Sequence, residues 1–269
     1  MADSTRVRKP YIIAIANEKG GVGKTTTALA IGTIFAQKGY KVLFVDLDPQ
    51  GNLTLALGYK PHDMPTPNLA LATGGTFFAK DSFSTEIENL DLVFARSLII
   101  GGEYLLRVSS DDDPYGLSQD LMVLKELAYD YVIIDCPPAI GKIAINTLLV
   151  SNFLIIPSQA EFFSAFGLRE MMELIGTVRQ GGNPDLPYRI LITLFDRRNR
   201  IHHSIKNQLS RTFNLGIFET MIEVDAELRK AAVLGFPTSS SRGVKQYQAL
   251  VEELLKYIQQ NQQQQKEDL

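Results

Sequence analysis

One stretch constrains the architecture more than any other. Residues 11–38, YIIAIANEKGGVGKTTTALAIGTIFAQK, pass from a β-rich apolar run through a glycine loop into a helical pattern. Tyr11 to Asn17 reads as a buried strand. Lys24 to Lys38 places Leu29, Ile31, Ile34 and Phe35 on one apolar face, and Gly39 is a natural stop. Strand, glycine turn and helix in that order form the unit from which helix-covered parallel sheets are built.

The remainder of the chain repeats this alternation. Lys41–Asp46, Leu90–Ala95, Tyr131–Asp135, Phe153–Pro157 and Arg189–Phe195 read as further buried strands, and Val244–Ile258 as the last strong helix. The expected fold is therefore α/β, with a mostly parallel twisted central sheet and helices on both faces. The GVGKTT loop between its first strand and helix makes the expected type a P-loop NTPase. Residues 1–9 are expected to be a flexible N-terminus, 10–258 a single domain, and 259–269 a disordered glutamine-rich tail. Residues 59–89, broken by prolines and a glycine pair, read as loops and short helices over the core. Asp111–Asp113 reads as a solvated loop before Pro114. The N-terminus lacks the apolar run of a signal peptide, so the chain is expected to be soluble and cytoplasmic.

The glycine loop carries the first chemistry. Gly20, Gly21 and Gly23 can turn successive backbone N–H groups inward around a phosphate, and the following helix points its positive end at the same place. Val22 and Thr26 belong to the same cradle, Lys24 is placed for the β- and γ-phosphates, and the Thr25 hydroxyl for Mg²⁺. The loop departs from G-x-x-x-x-G-K-[ST] at its first position, where Glu18 stands for glycine, and a second lysine, Lys19, follows it. Asp135 ends a core strand, as a carboxylate serving the metal must. Asp46 and Asp48, in VDLDPQGN, alternate along an extended segment and point the same way. Either could orient an attacking water while the other caps the turn.

Four blocks in order, KGGVGKTT, VDLDPQGN, YVIIDCPP and PSQAEFFSAFGL, resemble the ParA/MinD family of deviant Walker A ATPases, most closely its ParA branch, over most of residues 10–257. The resemblance implies ATP and Mg²⁺ as cofactors and an ATP-dependent sandwich homodimer. It implies that Lys19 reaches the partner's phosphates, that Lys24 is the ordinary P-loop lysine, and that Asp48 positions the hydrolytic water with Asp46 in support. Lys19, Lys24 and Asp48 are then the catalytic set, and Thr25, Asp48 and Asp135 serve the metal. By analogy the base lies near the loop after RILITLF and near Gly235–Pro237.

The net charge of −3 argues against a wholesale polyanion binder but leaves room for a local patch. Arg197, Arg198, Arg200, Lys206 and Arg211 form an acid-free basic run. Where ParA proteins carry DNA-contacting arginines, this chain has IEVDAELRKAAVLG, with Val224 and Glu227 facing those positions and Arg229 and Lys230 nearby. The DNA candidates are thus Arg197, Arg198, Arg200, Lys206, Arg229 and Lys230. The expected partners are non-specific DNA and a small ParB-like or McdB-like activator, with the protein on the nucleoid, moving plasmid or chromosomal DNA or a carboxysome-like cargo. A MinD-type membrane regulator needs an amphipathic C-terminal helix, and no apolar run follows Ile258, so no membrane partner is expected. A cluster-bearing reductase needs two cysteines per chain, and Cys136 stands alone. Amidating relatives would need a small-molecule pocket for which no motif is evident.

Overall fold

A computed structural model describes residues 9–60, 83–94, 118, 122–139, 141–162, 164–237 and 240–267. Its strands are β1 (Tyr11–Ile15), β2 (Val42–Asp46), β3 (Phe83–Ser84), β4 (Leu90–Phe94), β5 (Tyr131–Asp135), β6 (Phe153–Gln159) and β7 (Tyr188–Thr193). Its α-helices are α1 (Lys24–Gln37), α2 (Asn52–Ala56), α3 (Lys142–Val150), α4 (Ser164–Gly181), α5 (Arg200–Phe213), α6 (Ala226–Leu234) and α7 (Arg242–Glu267). Residues 61–82, most of the region expected to hold loops and short helices, lie outside the described residues. So do residues 1–8 and the Asp111–Asp113 loop.

The seven strands form one sheet in the order β3-β4-β2-β5-β1-β6-β7. Every pairing is parallel except that of β3 with β4. Strand residues alternate between two cores. Ile13, Ile15, Val42 and Phe44 pack with α1, α6 and α7, whereas Ile12, Ala14, Leu43 and Val45 pack with α3, α4 and Leu209 of α5. Both faces of the sheet are covered, which is why its strands are apolar throughout rather than alternating. On one face α1 lies so close that a Cβ at Gly32 would sit 2.1 Å from the Phe44 ring.

The C-terminal helix corrects one expectation. Its buried residues Val244, Tyr247, Val251, Leu254 and Ile258 follow the helical period and anchor it to the first core. Beyond Ile258 the helix continues through Glu267 instead of giving way to a disordered tail. Glutamine, lysine and glutamate are good helix formers, and extending an anchored helix needs no new nucleus.

Candidate nucleotide and metal site

The parallel register aligns Ile15 with Asp135 and Asp135 with Asp46, so three neighbouring strands end in one row. The glycine loop leaves from the end of β1 into that row. In open α/β sheets ligands bind at this carboxyl edge, where connections leave a central strand in opposite directions.

The loop is braced from both sides. The Asn17 side-chain amide donates to the Pro157 carbonyl at 2.6 Å, and its Oδ1 accepts the Lys19 backbone N–H at 3.0 Å. The Thr193 hydroxyl of β7 donates to the Val22 carbonyl at 2.8 Å. Gly21 and Gly23 have φ of 73° and 87°, a region in which side-chain-bearing residues are strained. Gly23 is also the N-cap of α1, whose first turn holds Lys24, Thr25 and Thr26. A Cβ at Gly20 or Gly21 would meet no heavy atom within 4 Å, so the backbone there opens onto free space.

The two lysines differ sharply. Lys24 is 7% exposed, and its ammonium donates to the Lys19 carbonyl at 3.0 Å. Burial lowers its pKa, against the opposing pull of Asp135 and Asp48. Lys19 points outward, and its Nζ meets the Glu161 carboxylate of the same chain at 2.6 Å, with both side chains partly exposed. That ion pair spans 142 residues of sequence, and no local pattern announces it.

Three carboxylates line the row. Asp135 is fully buried, and among the described residues neither of its oxygens has a hydrogen-bond partner of normal geometry. Burial raises its pKa well above the usual value, and Asp46 pushes it further, while the nearby Thr25 hydroxyl and Lys24 moderate the shift. Asp46 is equally buried, and its pKa is pushed up to about 6, mainly by burial, despite hydrogen bonds from Thr54 and Asp48. Asp48 sits in the following turn, accepting from the Gln50 N–H at 3.0 Å and from the Asn52 amide at 3.4 Å. Cys136 is buried, and its thiol, raised to about 12 by burial and Asp135, has no reactive character.

These groups suit a magnesium–nucleotide. Among the described residues no three His, Cys, Asp or Glu groups come together to hold a metal by themselves. A hydroxyl on Thr25 and an orphaned carboxylate on Asp135 match an ion that takes most of its ligands from phosphate and water. Bound there, the ion would neutralise phosphate charge as it develops during transfer.

The DNA candidates are dispersed. Arg197 pairs with the buried Glu223 at 2.6 Å, Arg198 with Asp196 at 3.2 Å, and Lys230 with Glu227 at 2.8 Å. Arg200, Lys206 and Arg229 show no ion pair among the described residues. The first two lie on α5, against the second core, and Arg229 lies on α6, against the first.

Fold and loop together define a P-loop ATPase of the deviant Walker A type, using ATP and Mg²⁺. The chain belongs to the ParA/MinD group of these ATPases, and the AAA domain family matches its residues 10–188. It is 35% identical over 250 residues to the chromosome partitioning protein ParA of Myxococcus xanthus, covering 91% of this chain and 88% of that one. It is 34% identical over 248 residues to the sporulation initiation inhibitor protein Soj of Bacillus subtilis, covering 90% and 97%. Its structure is similar to an McdA–ATP complex from Cyanothece, with a TM-score of 0.77, 27% identity and coverage of 91% and 96%. It is also similar to cobyrinic acid a,c-diamide synthase from Mycobacterium smegmatis with bound ADP and magnesium, with a TM-score of 0.73, 30% identity and coverage of 93% and 96%.

Proposed function

We propose that this ATPase forms an ATP-dependent homodimer, binds DNA without sequence preference, and uses partner-stimulated hydrolysis to segregate or position a cargo on the nucleoid. The observation that carries this reading is the division of labour between the lysines. Lys24 is buried inside the cradle, while Lys19 lies part-exposed at its rim, its ammonium held by Glu161 and Gln159. A cation at the rim supports a contact with a second subunit's phosphates. Hydrolysis removes charge from that contact and loosens the dimer, so turnover works as a switch.

Within one subunit the geometry supports the following roles. Gly20, Gly21, Val22 and Gly23 present backbone donors to the phosphates, and Lys24 exchanges its carbonyl partner for a phosphate oxygen. A unit-charge pair at 4 Å is worth about 4 kcal/mol at an effective dielectric near 20, above the roughly 1.5–3 kcal/mol of an ammonium–carbonyl hydrogen bond. Thr25 and, through water, Asp135 hold the metal, and Asp48 orients the attacking water. Arg200, Lys206 and Arg229 are the cations available for DNA phosphates. Arg197, Arg198 and Lys230 would first have to leave their carboxylates.

The test is retention of the protein on DNA with ATP and Mg²⁺. Arg200→Glu with Lys206→Glu should abolish retention and flatten the salt dependence by about 0.9 in logarithmic slope for each phosphate no longer neutralised. Unchanged retention would sink the DNA assignment. Lys19→Ala should bind ATP yet fail to dimerise, and a wild-type dimer would refute the role across the interface. The synthase-like neighbour suggests amide chemistry instead, which predicts that cobyrinic acid accelerates ATP turnover. The present reading expects no such effect, and no binding to anionic liposomes with ATP. Among the described residues no helix is long and apolar enough to cross a membrane.

A further inference from the structure

Two buried carboxylates stand side by side at the ends of β2 and β5, and they are treated differently. Asp135 keeps its oxygens open. Asp46 has both of its own taken by the chain. Its Oδ2 accepts from the Thr54 backbone N–H at 2.9 Å and from the Thr54 hydroxyl at 2.7 Å, and its Oδ1 accepts from the Asp48 N–H at 3.2 Å. Thr54 is itself fully buried on α2.

The carboxylate thus closes residues 46–54 into a ring, with the strand end, the Asp48 turn and α2 as its three parts. Inside the ring the Gly51 N–H donates to the Asp48 carbonyl at 2.8 Å, with Gly51 at φ 63°. On its outer side α2 packs on α1 and α6. Asp48 is therefore not a free loop residue. Its backbone hangs from Asp46, and Asp46 is anchored through Thr54 to a helix that rests on the P-loop helix.

A carboxylate intended for a metal or a water keeps lone pairs open towards it, and Asp46 has three of its roughly four acceptor sites taken by the chain. We propose that Asp46 and Thr54 form a positioning pair for hydrolysis, fixing the Asp48 carboxylate relative to the nucleotide without touching water or metal themselves. Burying a carboxylate next to another is costly, and here the return is a rigid path from the P-loop helix to Asp48. Small displacements of a group that aligns a nucleophile lower rate far more than they lower binding. The inference rests on the reading of Asp48 as the residue that orients the water.

Single-turnover hydrolysis of ATP by the full-length chain with Mg²⁺ separates the two. Thr54→Val removes the hydroxyl and keeps the shape. It should slow hydrolysis at saturating ATP about tenfold, the effect of losing roughly one charge-assisted hydrogen bond, with ATP affinity kept within about twofold. Thr54→Ser should restore the rate, and Asp46→Asn, which cannot accept from both Thr54 and Asp48, should be slow. If Thr54→Val and Asp46→Asn hydrolyse ATP like wild type while Asp48→Ala is slow, the positioning pair is wrong and the role of Asp48 stands. If Asp48→Ala turns over normally, the reading of Asp48 fails and the pair fails with it. A fall in ATP affinity parallel to the fall in rate, unrescued by Thr54→Ser, would mark a merely structural contact and overturn the proposal.

Discussion

At the glycine loop Lys24 and Asp135 are buried without an ion pair, whereas between Arg197 and Lys230 three exposed cations are each closed by a carboxylate. Lys24 has a backbone carbonyl as its hydrogen-bond partner, and Asp135 finds no partner of normal geometry among the described residues. Arg197, Arg198 and Lys230 each hold a carboxylate. A buried charge left unpaired is costly, so it is either neutralised by a shifted pKa or completed by a ligand, water or ion. A paired surface charge needs nothing further, and its contribution as an exposed ion pair is small. The contrast supports the reading of the loop as a ligand site and narrows the basic run to the cations that remain unpaired.

The strongest way to break this comparison is Lys24→Ala. ATP binding should weaken by more than about 100-fold, the effect of removing roughly two charge-assisted hydrogen bonds, in an equilibrium titration. Binding within tenfold of wild type would mean that the buried lysine is structural.

Asp135→Asn sharpens the other half of the site. Wild-type protein with Mg²⁺–ATP at about 100 times its Kd should gain roughly 2.7 kcal/mol against thermal unfolding. The variant should lose the Mg²⁺-dependent part of that gain. Without ligand it should be at least as stable as wild type, because a buried unpaired carboxylate has been removed.

A smaller effect is expected at Glu223, the buried acid of the closed region. Burial would raise its pKa, but Arg242, Gln246 and Arg197 outweigh burial and hold it below the ordinary value of 4.5. A lowered folded-state pKa gives stability that is complete above the ordinary Glu range and is lost as pH falls through the folded value. Glu223→Gln should therefore flatten the acid side of the stability curve below about pH 4.5 and leave ATP affinity untouched. An unchanged acid limb would show that the arginines hold Glu223 for no net gain.

The smallest effect is expected for Glu161→Gln, which frees Lys19 from its ion pair. Exposed pairs contribute up to about 1 kcal/mol, so ATP-dependent dimerisation should shift by no more than about fivefold, towards the dimer. A shift the other way would show that Glu161 supports the dimer rather than restrains Lys19.

Much of the fold is legible in the sequence because its signals are local. Each apolar run forms a strand within two residues of its expected ends, since a strand buried on both faces must be apolar at every position. Phe83–Ser84 escapes such a reading: a two-residue antiparallel edge strand is too short to carry a pattern. Helices α2 to α6 do not stand out from the sequence, and α2 has only five residues. Thr54 leaves only a faint trace, a hydroxyl residue eight positions after Asp46 and just beyond the VDLDPQGN block. What hides its role is that the ring closes only when β2 and α2 are both in place.

The sequence alone determined the loop, the strand-ending acids and the family, because glycine freedom, charge and apolar runs act over a few residues. Only the tertiary structure decided which of those charges are spoken for. It set Lys19 against Glu161, Arg197 against Glu223, and Asp46 against Thr54, while leaving Asp135 open. Pairing depends on which side chains a fold brings within about 3 Å of each other, and sequence spacing carries no record of that distance. The lysine pair therefore reads as a doublet in the sequence, and as one buried and one rim cation in the folded molecule.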